Sequence, residues 1–178
     1  MRDLWTDRLH IRGFRNDDWK DLYEYLSDQQ VIRYEPYDVF TMEESRREAI
    51  KRSENEDFYA VCLKDTDKVI GNLYLSKQEY DTWEIGYVFN ASYQGKGYAS
   101  EAAAALLQDA FMNCGARRVV AMCNPENSPS WRLLERLGMR REGHLLQNIF
   151  FRKDEKGDPI WQDTYEYAIL ADEWNNRI

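Results

Sequence analysis

The period of the hydrophobic positions changes along the chain and predicts the order of its secondary-structure elements. Apolar residues that alternate with polar ones predict strands at 8–14, 58–63, 69–75 and 83–89. Apolar residues at helical spacing predict helices at 19–26 and 99–111. A polar helix is predicted from 41 onward, and another helix at 130–137, before Gly138. Capping chemistry supports two of these helix starts, at 16–18 and in a capping box formed by Thr41 and Glu44.

The second half of the chain alternates between strands and helices. A short apolar strand is predicted at 119–123, and two closing strands at 145–151 and 165–170 flank a turn-rich segment, 153–159. Gly115 and Gly138 mark the ends of the two helices in this half. The order predicts an α+β fold with a mixed sheet. Since no linker or repeat interrupts 1–178, we expect a single domain with its core at about 8–174.

Composition and charge narrow the classes of partner. The 178 residues carry a net charge of −8, which argues against nucleic acid as a partner. The segment 94–141 is nevertheless +3, while the rest of the chain sums to −11, and this asymmetry suits an anionic ligand. The longest apolar run, 102–107, is too short to cross a membrane, and the charged stretch 1–8 is not typical of a secretory signal.

The cysteines and histidines predict neither a disulfide framework nor a metal site. Cys62, Cys114 and Cys123 are odd in number and form no C-x-x-C pair, so we expect reduced thiols and a cytoplasmic location. His10 and His144 are far apart in the sequence, and no metal is expected.

Candidate chemistry is concentrated in the loop between strand 83–89 and helix 99–111. Two glycines there allow the backbone to approach a ligand closely, and the helix that follows begins with unpaired N–H groups. Such a helix start attracts anions, most naturally phosphate, although an ordinary glycine-containing turn is the alternative. The residues of this loop are Gln94, Gly95, Lys96, Gly97, Tyr98 and Ala99.

Two common phosphate-binding motifs do not fit this loop. The chain contains no G-x-x-x-x-G-K-[ST] sequence, which excludes a P-loop. A dinucleotide loop, G-x-G-x-x-G, would need a third glycine where Ser100 stands, and the acidic residue that binds ribose is missing after strand 119–123.

Residues 94–99 instead resemble the cofactor loop [Q/R]-x-x-G-x-[G/A] of the GCN5-related N-acetyltransferases (GNAT) and fit it in full. The resemblance extends over about 9–174. Within the family, the chain looks most like the ribosomal-protein N-terminal acetyltransferase (RimJ/RimL-like) branch. It is carried by the segments 84–89, 97–102, 127–130, 133–139 and 163–168, and by Glu173 with Trp174.

The resemblance implies the GNAT fold, with a mixed and mostly antiparallel sheet that is splayed between two parallel strands and flanked by helices. Acetyl-CoA would lie between strands 83–89 and 119–123, with its pyrophosphate on the amides of the 94–99 loop. The pantetheine arm would meet the main chain of Val88 and Phe89 and the side-chain amide of Asn127. Candidates for phosphate contacts are Lys96, Arg132 and Arg136. The alternative for the two arginines is that they are solvated charges on the outer face of a helix.

Acetyl transfer to an amine requires a base for the amine, a donor for the oxyanion and a proton for the thiolate. Glu84 is the candidate base because it stands mid-strand among apolar residues; a solvated face or an ion pair is the alternative.

The family resemblance places an oxyanion-binding N–H near Val88 or Phe89. Ser130 matches the serine used by the resembling branch at the thiolate, and a helix N-cap is its alternative role. Possible substitutes for it are Tyr98, Tyr165 and Tyr167.

Two other hypotheses are weighed against direct transfer in a ternary complex. Cys114 or Cys123 with His144 would give a covalent route, although inert buried thiols are favoured. An acetyl-CoA-binding sensor without catalysis is the non-enzymatic alternative. The expected acceptor is a primary amine, either a protein N-terminus or a small cationic amine, and a homodimer is left open. Acceptor specificity is expected in 16–57 and 144–163, where the candidate lining residues are Trp19, Tyr34, Tyr37 and Phe40.

Overall fold

Eight strands form one continuous sheet in a computed structural model that describes residues 2–176. Their spatial order is β1-β2-β3-β4-β5-β6-β8-β7, and β5 with β6 forms the one parallel pair among the described strands. The strands are β1 Leu4–Trp5, β2 Leu9–Gly13, β3 Phe58–Leu63, β4 Val69–Lys77, β5 Thr82–Phe89, β6 Arg118–Cys123, β7 Arg140–Lys153 and β8 Pro159–Leu170. The α+β class and the mixed, mostly antiparallel sheet are thus confirmed.

Helices cover both faces of the sheet because its buried strands are apolar on both sides. In β4, Leu73 and Leu75 face the larger core, whereas Asn72 faces the opposite side and binds Tyr25 and Arg52. No helix within residues 2–176 combines the length and apolarity needed to cross a membrane. The helices are α1 Trp19–Leu26 and α2 Met42–Ser53 on the Asn72 side, then α3 Tyr98–Met112, α4 Ser128–Arg136 and α5 Ala171–Asn175.

The parallel pair opens into a gap after three residue pairs. Thr82, Trp83 and Glu84 lie opposite Arg118, Val119 and Val120, and no further register is formed between these strands. Both strands nevertheless continue, β5 to Phe89 and β6 to Cys123. The predicted splay is therefore confirmed, and Glu84 is the last β5 residue before the strands separate.

Two helix starts differ in detail from the sequence pattern. Helix α4 begins at Ser128 and is capped by Asn127, whose Oδ1 accepts the Ser130 N–H at 3.4 Å, so Ser130 lies in the first turn and is not the cap. Asp18 does not cap α1 through its side chain. Its carboxylate instead accepts from the Arg15 N–H at 2.7 Å and from buried Arg12 at 2.8 and 2.9 Å, because a buried guanidinium requires a paired anion.

Other boundaries follow the sequence pattern closely. The Thr41–Glu44 capping box is present, and α3 and α4 end before Gly115 and Gly138 as predicted. Strands β7 and β8 are longer than predicted, and β1 and α5 were not predicted at all. Both missed elements are short, at two and five residues, so neither carries a periodic signal.

Candidate active site

A cavity of about 900 Å³ occupies the gap between β5 and β6. Its size is at the upper end of the range usual for small-molecule sites, roughly 300–1,000 Å³. Five consecutive β5 residues, 85–89, line it together with the last three residues of β6, 121–123, and with Asn124 just beyond that strand. The remaining walls come from the starts of α3 and α4 and from the α1–α2 loop, residues 27–41.

The pairing of β5 with β4 decides which main-chain groups reach the gap. Val88 lies opposite Asn72, and its carbonyl oxygen would be only 2.6 Å from a Cβ placed on Gly71 of β4. The main-chain groups of Val88 therefore face β4. Because consecutive residues of a strand direct these groups to opposite sides, those of Phe89 face the gap. The Phe89 carbonyl accepts a hydrogen bond from Gln94 Nε2 at 3.0 Å, which leaves its N–H for a ligand.

The start of α3 supplies a second set of main-chain donors. Gly97 is the N-cap with φ +83°, a left-handed conformation that favours glycine, and the first helical bond runs from the Glu101 N–H to the Gly97 carbonyl at 3.0 Å. The N–H groups of the three residues between them thus have no helical partner. All three line the cavity: Tyr98, Ala99 and Ser100.

An arginine from β2's N-terminal side braces this loop, and sequence reasoning missed it. Arg8 donates to the Lys96 carbonyl at 3.0 Å and pairs with Glu101 at 2.6 Å. Its guanidinium also lies over the Tyr98 ring, 4.5 Å from the centroid. Since these partners are about 90 positions away in the sequence, no local pattern could reveal them.

The three candidate phosphate-binding cations differ in their position relative to the cavity. Lys96 does not line the cavity, and its ammonium donates to the Ser92 carbonyl at 3.0 Å. Arg132 lies over the Trp131 ring, whereas Arg136 borders the cavity.

Asn127 and Ser130 both border the cavity at the start of α4. The Tyr87 hydroxyl lies 3.0 Å from both the carbonyl oxygen and the Oγ of Ser130. Burial raises the pKa of Tyr87, so this hydroxyl keeps its proton at neutral pH. Tyr87 was not a candidate in the sequence, because it reads as a core aromatic of an alternating strand. The structure makes it part of a hydroxyl pair with Ser130.

The three tyrosines named as substitutes are placed differently. Tyr98 lines the cavity, but its ring is covered by Arg8. Tyr167 is fully buried and donates to Glu135 at 3.0 Å, and Tyr165 packs edge-on against His144.

The cysteines do not form a nucleophile with His144. Cys123 borders the cavity, but burial raises the pKa of its thiol to about 11, so it is protonated at neutral pH. In the sheet register Cys123 lies opposite Tyr165, and His144 lies beyond that residue on β7, where its Nε2 is 2.9 Å from Asp163. All three cysteines are free, as expected of reduced thiols.

Glu84 is half-buried at the point where the strands separate and lies opposite Ser76 of β4. It is not one of the residues that line the cavity, and within residues 2–176 its carboxylate makes no side-chain hydrogen bond or ion pair. The geometry therefore places the predicted base beside the site and not in its wall.

The α1–α2 loop closes one side of the cavity with Tyr34 and with a residue that sequence reasoning missed, Glu35. Burial raises the pKa of the Glu35 carboxyl to about 7, against the opposing effects of Tyr37 and of the Arg52 charge, which lower it. The other predicted acceptor residues do not border the cavity. Phe40 packs edge-on against Tyr37, and Trp19 lies under the Arg46 guanidinium.

These features fit a long, anionic thioester. The α3 start offers N–H donors to a diphosphate, and the open β5 edge offers the Phe89 N–H to an extended arm. The Tyr87 and Ser130 hydroxyls belong to the same cavity. Together they are typical of an acyl-CoA-dependent acyltransferase site.

Comparison with known proteins agrees. The acetyltransferase (GNAT) domain model matches residues 8–140, and the chain belongs to this family. It is 45% identical over 174 residues to the uncharacterized N-acetyltransferase YnaD of Bacillus subtilis (strain 168), covering 97% of this chain and 99% of that protein. The crystal structure of a GNAT-family acetyltransferase from Bacillus anthracis is 40% identical, with a TM-score of 0.88 over 97% of this chain and 100% of that one.

A more distant relative is the [ribosomal protein uS5]-alanine N-acetyltransferase of Escherichia coli (strain K12). It is 24% identical over 184 residues, covering 96% of this chain and 92% of that protein. The chain is thus an N-acetyltransferase of a family that uses acetyl-CoA.

Proposed function

We propose that the protein transfers the acetyl group of acetyl-CoA directly to a primary amine while both substrates are bound. The observation that carries this proposal is one cavity bordered by three features: the open β5 edge, the unpaired N–H groups of α3 and the Ser130–Tyr87 hydroxyl pair. Cys123 and His144 are not placed to form a nucleophile, so a covalent acetyl-cysteine route is not favoured. Nothing in the fold favours a non-catalytic sensor.

The binding roles follow from the cavity wall. The pyrophosphate is held by main-chain N–H groups of the loop containing Gly95 and Gly97, with Gln94 fixing that loop to β5. The Phe89 N–H serves the arm or the oxyanion, and the Asn127 amide serves the arm because its Oδ1 is engaged in the α4 cap. Val88 contributes to the wall, whereas Lys96 lies outside it and holds the loop through its carbonyl, which accepts from Arg8.

The departing thiolate needs a proton, and Ser130 is the hydroxyl we assign to it. Serine is a weak acid, but Tyr87 can donate to its Oγ and leave the serine proton directed at the sulfur. Ser130→Ala is expected to lower kcat about 100-fold, and Tyr87→Phe about tenfold, with acetyl-CoA affinity within about twofold of wild type.

Ser128→Ala is the matched control, since Ser128 begins the same helix without lining the cavity. Steady-state release of the CoA thiol measures kcat, and calorimetry measures affinity. A Ser130→Ala enzyme as fast as the Ser128→Ala control would remove Ser130 from the mechanism.

The acceptor is a protein N-terminus or a small cationic amine. The distant uS5-alanine acetyltransferase favours the first, and the acidic remainder of the chain suits either. Thiol release against a panel of small amines and basic N-terminal peptides tests the proposal. A response no greater than acetyl-CoA hydrolysis across the panel would contradict it. We infer a cytoplasmic location from the three free cysteines.

A further inference from the structure

Glu35 is a cavity-wall carboxyl that the binding and thiolate steps do not use. It stands in the α1–α2 loop and borders the same cavity as Tyr87 and Ser130. Burial disfavours its charged form, so a carboxylate here needs a compensating partner.

The supports of Glu35 come from beneath the cavity. Tyr37 and Arg52 both lower the pKa of its carboxyl, and Arg52 also lowers the pKa of the Tyr37 hydroxyl, so the three groups influence one another. Arg52 is 3% exposed and donates to Asn72 Oδ1 at 3.0 Å and to Glu48 Oε1 at 2.8 Å. Because Arg52 already has its own carboxylate in Glu48, Glu35 is not needed to neutralise it.

The other charged groups around the loop are engaged elsewhere. Arg33 faces Glu126 of the β6–α4 loop at 3.7 Å, in an exposed pair. Arg152 of β7 donates to the main-chain carbonyls of Arg33 and Tyr37 at 3.0 and 3.3 Å. From α4, Arg136 borders the cavity. Arg52 acts on the Glu35 carboxyl through its charge but is itself paired with Glu48, so the position opposite the Glu35 carboxyl suits a cation brought by a ligand.

We propose that Glu35 binds the ammonium group of the acceptor and takes one proton from it before acetyl transfer. The inference rests on the proposed function and narrows its acceptor to amines that are protonated at neutral pH. Glu35 is then a catalytic residue, because it touches the reacting nitrogen.

The proton balance of this step is complete. One proton moves from the ammonium group to the Glu35 carboxylate, which leaves a neutral amine. The amine nitrogen forms a bond to the thioester carbonyl carbon, and the bond from that carbon to sulfur breaks. The second nitrogen proton passes to the departing thiolate through the Ser130–Tyr87 pair. Glu35 returns its proton to solvent, so the products are the amide, CoA thiol and one proton.

The test uses two acceptors and one isosteric variant. The acceptors are the best amine of the panel and its analogue fluorinated beside the nitrogen, whose amino group is largely neutral at pH 7. For the protonated amine, Glu35→Gln is expected to lower kcat/KM at pH 7 by about 100-fold, the size of a lost general base. For the neutral analogue, the same variant should lose less than about fivefold. A merely structural role would lower both rates by the same factor.

The pH profile gives a second readout. In the wild-type enzyme, kcat/KM for the protonated amine should rise as pH increases through about 7, where Glu35 loses its proton, and this rise should be absent with the neutral analogue. It needs no variant, so it holds even if Glu35→Gln does not fold. Asp38→Asn is the control, since Asp38 is 93% exposed, lies in the same loop and does not line the cavity.

The outcomes separate this inference from the proposed function. A wild-type enzyme that acetylates no amine overturns both. If the wild type is active, the inference alone fails when Glu35→Gln behaves like Asp38→Asn or loses both acceptors equally. It also fails when Glu84→Gln, and not Glu35→Gln, abolishes the rise near pH 7, because Glu84 would then be the base.

Discussion

The two ends of the cavity differ in the chemical groups that line them. At the α3 end the donors are main-chain N–H groups, arranged by a helix start and two glycines at positive φ. At the α1–α2 loop the chemistry belongs to side chains, with Glu35 supported by Tyr37 and, below it, Arg52. Main-chain donors can recognise a diphosphate whatever side chains stand nearby, whereas the side-chain end can change its acceptor by single substitutions.

The largest effect is expected from forcing a side chain into the main-chain end. Gly97→Val places a β-branched residue at φ +83°, and its Cβ would lie 3.3 Å from the Arg8 guanidinium. The strain is worth about 1–2 kcal/mol, and relieving it would turn the α3 N–H groups away. We expect the Kd for acetyl-CoA to rise about 100-fold, because lost hydrogen bonds add about 1 kcal/mol each.

Gly157→Val controls for strain alone. Gly157 has φ +86° in the β7–β8 turn, in open space and away from the cavity. It should lose thermal stability while its acetyl-CoA affinity, measured by calorimetry, stays at the wild-type value. Equal affinity in the Gly97 variant and wild type would show that the α3 loop does not bind the diphosphate.

A smaller effect is expected at the side-chain end when a support of Glu35 is removed. The Tyr37 hydroxyl lowers the pKa of the Glu35 carboxyl, so in Tyr37→Phe that pKa should rise. The rising part of the pH profile then moves to higher pH, the rate at pH 7 falls about threefold and the rate at alkaline pH recovers. Tyr34→Phe removes a hydroxyl from the same loop and should leave the position of the rise unchanged. A rise that does not move in Tyr37→Phe would separate Tyr37 from Glu35.

The same contrast explains what could be predicted from the sequence. The loop of Gly95 and Gly97 is local, because a strand end, two glycines and a helix start act within a few residues. The strand pattern around Phe89 was likewise visible as alternation. The splay followed from family resemblance, and the register of β5 with β6 then showed where it begins.

Glu35 had no such signal. Its surroundings depend on Arg52 in α2 and Asn72 in β4, which approach only after the sheet forms. A carboxylate in a polar loop looks solvated until folding buries it. Arg8 and Tyr87 were missed for a related reason, since their partners Lys96 and Ser130 are remote in the sequence.

The smallest effect is expected where charge alone would predict a large one. Lys96 is the cation inside the diphosphate loop, but its ammonium donates to the Ser92 carbonyl and lies 5.3 Å from the Tyr93 ring centroid, outside the cavity wall. Lys96→Ala should therefore change acetyl-CoA affinity less than about twofold, as expected for exposed charge screened by solvent. Lys156→Ala, in the exposed β7–β8 turn, provides the reference for losing one positive charge. A tenfold loss confined to Lys96→Ala, diminishing at high salt, would mean that the ammonium binds phosphate, and the α3 end would then depend on side-chain charge as the other end does.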